Sequence, residues 1–76
     1  MRLTCYMSRM RERSGEVAGS FPVEGEILSW CQDLADEDGS IHVDMLMDLA
    51  HDQEKLDMIE FILGIGLIND YVFLED

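Results

Sequence analysis

QEKLDMIEFILGIGLINDYVFL, Gln53–Leu74, is the stretch whose reading decides the fold. Leu56, Ile59, Ile62 and Leu63 recur at helical spacing while Glu54, Lys55, Asp57 and Glu60 fill the gaps, which predicts a helix with a thick apolar face. Gly66 suits the left-handed residue just past a helix end, with Leu67 folding back onto Ile62. Leu67-Ile68 and Tyr71–Leu74 are short β-prone runs, and Asn69-Asp70 between them suits a two-residue turn. The expectation is a helix, a glycine stop and a C-terminal β-hairpin.

Upstream of this stretch, Phe21-Pro22 opens the ordered body. Pro22 is tolerated in a first helical turn, and Glu24 and Glu26 suit the positive end of the helix dipole. Ile27, Leu28, Cys31, Leu34 and Ala35 line one face of this first helix, with Trp30 at its margin. The acidic turn Ala35–Gly39 ends it. Ile41 and Val43 then alternate with His42, a short strand signal. Asp44 suits the cap of a second helix that carries Leu46, Leu49 and Ala50 inward, and Asp52 is a second capping candidate. The apolar period runs through His51-Asp52 into the third helix, so a break there and a continuous helix are both open. Residues 1–20 divide into a possible short strand, Met1–Met7, in which Leu3, Cys5 and Met7 alternate with polar neighbours, and an aperiodic SRMRERSGEVAGS segment rich in Ser and Gly. They are expected as a flexible arm, followed by a single small domain over 21–76.

Helix, strand, helix, helix, hairpin is an order with a familiar outline. Through Asp38-Gly39-Ser40-Ile41 leading into Val43–Ala50, and Ile59-Glu60-Phe61-Ile62-Leu63 running into Gly66-Leu67-Ile68, residues 27–73 resemble a winged-helix domain. The resemblance implies an α+β, mainly helical fold of three helices, one short strand and a terminal hairpin. It also implies that Glu54–Leu63 is the helix that would enter a DNA groove. That helix carries one cation and three carboxylates, whereas phosphate and base contacts rely on Arg, Lys, Asn and Gln. Winged helices without a basic face often serve as protein-interaction modules.

Charge bounds the partners. The 76 residues carry a net −12. Residues 1–13 hold four arginines against Glu12, a net +3, while residues 14–76 hold Lys55 alone against sixteen carboxylates, a net −15. A body this acidic repels phosphate backbones. The leading expectation is a small acidic interaction or regulatory module for a basic protein partner, with Trp30, Met47, Met58 and Phe61 as contact candidates, since Met adapts to varied partners. The alternative is a winged-helix transcriptional regulator that binds nucleic acid through its basic N-terminal arm.

A weak calcium or metal binder ranks lower. Asp36 and Asp38 before Gly39 resemble part of a calcium loop, but Leu34 and Met45 would fall where carboxylates are required. Asp44, Asp48, His51 and Asp52 share one helix face and are candidate metal ligands. No nucleophile–base pair or phosphate loop is present, so neither an enzyme nor a cofactor is expected. Cys5 and Cys31 lack any CxxC companion and read as reduced thiols of a cytoplasmic protein. No run approaches the roughly 20 apolar residues of a membrane span.

Overall fold

The computed structural model describes all 76 residues. The chain runs β1 (Arg2–Tyr6), β2 (Val17–Pro22), α1 (Gly25–Leu34), β3 (Ser40–His42), α2 (Val43–Asp52), α3 (Leu56–Gly66) and β4 (Tyr71–Glu75). The strands form one antiparallel sheet in the order β2-β1-β4-β3. The fold is therefore a small α+β domain, 41% helix and 25% strand, and not mainly helical. Nothing in it identifies a winged helix.

The sheet is assembled from both ends of the chain, which corrects two expectations. Residues 1–20, expected as a flexible arm, carry β1 and the first four residues of β2. The expected C-terminal hairpin does not form: Tyr71–Glu75 pairs with β1 on one side and β3 on the other, not with Leu67-Ile68. Its three central residues, Val72, Phe73 and Leu74, are all buried, as an inner strand covered on both faces requires.

Alternation sorts the side chains between two layers. Leu3, Cys5, Ile41, Val72 and Leu74 join Cys31, Leu46, Ala50, Met58, Ile62 and Ile65 of the helices in one core. Thr4, Ser40 and Phe73 face the other way and are also buried, at 5%, 1% and 2% exposure. The β1–β2 loop covers Ser40 and Phe73 with its arginines. The Arg13 guanidinium lies 4.6 Å over the Phe73 ring and Arg11 5.4 Å over Tyr71. Tyr6 meets Phe73 edge-on at 5.9 Å and donates its hydroxyl to Glu75 at 2.8 Å. A layer of arginine on aromatic rings thus takes the place of a second apolar layer.

Helix boundaries differ locally from expectation. Pro22 ends β2 rather than opening α1. His42, not Asp44, caps α2: its Nδ1 accepts the Asp44 backbone N–H at 3.2 Å. Asp52 is the last residue of α2 and caps nothing, and Gly66 closes α3 with no left-handed turn. The two helices are separate, and the break falls at Gln53–Lys55. There the Lys55 N–H reaches the Ala50 carbonyl at 3.1 Å and the Glu54 N–H reaches His51 at 3.1 Å, the paired bonds of a Schellman ending. Glu54 holds the left-handed position at φ 56°, where glycine is strain-free. Glu54→Gly is expected to stabilise the protein by about 0.5–1 kcal/mol in urea denaturation, since relief of about 1–2 kcal/mol of left-handed strain outweighs the about 0.5–1 kcal/mol of extra chain entropy that glycine loses on folding.

Cys5 and Cys31 are free thiols buried in the core. Burial pushes the Cys31 thiol up to about 11 and raises Cys5 as well. Neither is expected to react with a thiol reagent at pH 8 until the protein is unfolded. Because the folded values lie above the model-compound 9.0, the unfolded chain loses these protons first. Stability is therefore unaffected by them below pH 9 and is expected to fall between pH 9 and 11 in thermal melts.

Candidate functional site

The acidic candidates do not converge. Asp36 and Asp38 lie in the α1–β3 turn, where Gly39 takes φ 82° and its N–H bonds the Asp36 carbonyl at 2.9 Å. Asp38 Oδ1 accepts the Ser40 backbone N–H at 3.0 Å and its hydroxyl at 2.7 Å. Arg11 fills the space in front of them: its guanidinium bonds Asp36, lies 3.5 Å from Asp38 and donates to Ser40 Oγ at 2.7 Å. The turn is thus occupied by the protein's own cation. Asp44, Asp48, His51 and Asp52 do share the exposed face of α2. No group of three or more His, Cys, Asp or Glu side chains is placed to hold a metal ion.

The Ser40 hydroxyl, its backbone N–H and then the Arg11 charge hold the Asp38 carboxyl below its ordinary 3.8. A depressed carboxylate contributes stability above its unfolded value and loses it as pH falls through the folded one. Acid melts below about pH 4 are therefore expected to steepen through Asp38, and Asp38→Asn to flatten that part of the profile.

The same contacts consume the basic N-terminus. Arg11 is bound as described, Arg13 pairs with Glu75 at 3.2 Å and donates to the Asp38 carbonyl, and Arg2 donates to Ser20 Oγ at 2.6 Å. Arg9 alone of the four forms no side-chain hydrogen bond or ion pair.

The apolar contact candidates mostly turn inward. Met58 is a core residue at 1% exposure, because the inward face of α3 is Met58, Ile62 and Ile65. Phe61 is half-buried and packs on Phe21 with ring centroids 5.2 Å apart. Trp30 and Met47 are half-buried, Met47 against the core.

What the sequence reading placed in the core instead lies outside. Leu56, Leu63 and Leu67 are 73%, 60% and 87% exposed. Around the helix axis they fall within about 40° of one another, opposite the buried Met58–Ile62–Ile65 face. They line up over roughly 16 Å, with Glu60 interrupting the row between Leu56 and Leu63 and Gly64 beside it. A Cβ on Gly64 would meet nothing within 4 Å. Two open hollows flank Leu56, one of about 410 Å³ towards Phe21 and Ile27, the other of about 330 Å³ towards His51 and Ile59. The available signal was excess: Met58, Phe61 and Ile65 supply a second apolar face to a helix that already had one.

In the β1–β2 pairing, Val23 donates to Met1, so the alternate residues Ser20 and Pro22 turn their backbone groups to the open edge. Pro22 has no N–H to offer there, which blunts that edge against strand addition. On the other edge, Asp36 N–H bonds the Ser40 carbonyl at 3.0 Å and Asp38 bonds the Ser40 N–H. No helix is long and apolar enough to cross a membrane. No protein-family model, curated protein or solved structure matches this chain.

Proposed function

We propose that the protein is a small acidic interaction module that binds a basic protein partner through the outer face of α3. The observation that carries this reading is the stripe of Leu56, Leu63 and Leu67, three large side chains in water on one helix face opposite the core. Isolated exposed leucines are ordinary, whereas an aligned set marks a contact surface. The net −15 over residues 14–76 supplies the sign of the partner. The two buried free thiols support a reducing, cytoplasmic setting. Commitment of Arg2, Arg11 and Arg13 to internal contacts leaves Arg9 as the one unpaired arginine for the nucleic-acid reading.

The test is photo-cross-linking in the cells that make the protein, with a photoreactive residue in place of Leu63 or, as control, of the exposed Gln32 on α1. Adducts to a basic protein at position 63 and not at 32 are expected. Equal labelling at both positions, or none at 63, would contradict the reading.

A further inference from the structure

The α3 stripe has a geometry that narrows what can lie on it. Its residues stand at i, i+7 and i+11, the spacing of a seam along one side of a helix, and the seam is straight over roughly 16 Å. Gly64 leaves an open notch beside the seam where another backbone can approach closely, since nothing lies within 4 Å of its missing Cβ. The hollows on either side of Leu56 accept side chains projecting from such an element. An extended strand meets hindered ladders, with one sheet edge blunted by Pro22 and the Ser40 groups of the other bonded within the Asp36–Ser40 turn.

Charge then separates a foreign helix from a second copy of this chain. Over residues 43–67 the carboxylates Asp44, Asp48, Asp52, Glu54, Asp57 and Glu60 face one cation, Lys55, a net −5. A stable dimer buries about 800 Å² on each partner, about one-sixth of this protein's 4742 Å² surface. Three leucines do not supply that area, so the acidic flanks would have to meet acidic flanks. A helix with basic flanks meets the same surface with attraction, most directly from Asp57 and Glu60, which follow one side of the seam on the helix wheel.

We infer that the partner of α3 is an amphipathic helix, apolar along one stripe and flanked by Lys or Arg, that lies along Leu56, Leu63 and Leu67. This rests on the reading of the protein as a module for a basic partner, and it names the element the partner presents.

The test is an amide-resolved NMR titration of the whole protein with three synthetic peptides of about 18 residues, five helical turns. One is an amphipathic Leu/Lys helix, the second has the same composition scrambled so that no apolar stripe forms, and the third is an amphipathic Leu/Glu helix. The Leu/Lys helix is expected to bind one-to-one and to shift amides around Leu56, Glu60, Leu63, Gly64 and Leu67. The other two should bind at least about tenfold more weakly, the drop that loss of a buried anchor produces. Leu63→Ser with Leu67→Ser should lose the same factor while the thermal midpoint stays unchanged. If the scrambled peptide binds as tightly, or the shifts map to the Asp36–Asp38 turn, the helix-on-α3 inference is wrong while the basic-partner reading stands. If no peptide binds at low salt, both fall. Self-association through α3 in sedimentation, abolished by the same two substitutions, would make the occupant a second copy and overturn the inference.

Discussion

Leu3→Ala is expected to remove about 3–5 kcal/mol of folding stability, the cost of truncating a fully enclosed leucine. Leu3 is 0% exposed and belongs to the same core as Ile41, Ile62 and Val72. It sits on β1, the strand that β2 and β4 both pair with, opposite Phe21 on one side and Leu74 on the other. For 76 residues the whole stability is of order 4–11 kcal/mol, so the variant would be largely unfolded at moderate temperature. Each kcal/mol lowers the thermal midpoint by about 4–8 °C in a domain this small, which makes the effect unmistakable in a melt. If residues 1–20 were a loose arm, the same substitution would change nothing.

Asn69→Ala is expected to cost about 2–4 kcal/mol, because it strands three part-buried backbone groups at once. Asn69 is 5% exposed. Its Nδ2 donates to the carbonyls of Tyr6, at 3.3 Å, and Ser8, and its Oδ1 accepts the Tyr71 N–H at 3.2 Å. One side chain thus fastens the end of β1 to the turn that leads into β4. Asn69→Asp keeps the shape but has no donor, so at neutral pH it should destabilise at least as much as alanine. Equal melting of Asn69→Ala and the parent protein would show that the knot carries no stability.

Most local elements were legible because local rules govern them, but β2 was not, since Val17–Pro22 shows no apolar alternation and its Pro22 suggested a helix start. The alternation of Leu3 and Cys5 marks β1, Ile41 and Val43 bracket His42 at β3, and the period of Ile27, Leu28, Cys31 and Leu34 marks α1. Tyr71–Leu74 reads as a strand for the same reason. The sheet order was not legible, because β4 pairs with β1 across nearly the whole chain and no neighbouring residue announces that choice. Leu67-Ile68 looked like its nearest strand partner, and proximity in sequence favoured a hairpin. The phase of α3 was ambiguous for a different reason. A helix that is apolar on two sides offers two ways to face the core; the one that buries Met58, Ile62 and Ile65 leaves Leu56 and Leu63 in water.

The candidate site followed the same pattern. An acidic surface was plain from composition, but the leucines that give it a contact seam were assigned to the interior. Arg11 and Arg13 read as free charges because their partners, Asp36, Asp38 and Glu75, lie at least 25 residues away. Salt is expected to loosen this clamp before it touches the core, since the pairs are partly exposed.

The orientation of α3 underlies both the proposed surface and its partner, and two neighbouring substitutions decide it. Urea denaturation of Ile62→Ala and Leu63→Ala, measured side by side, compares a residue 1% exposed with one 60% exposed. Ile62→Ala is expected to cost about 2–4 kcal/mol and Leu63→Ala no more than about 0.5 kcal/mol. A large loss at Leu63 with little at Ile62 would turn α3 over, bury the leucine stripe in the core and remove the docking face.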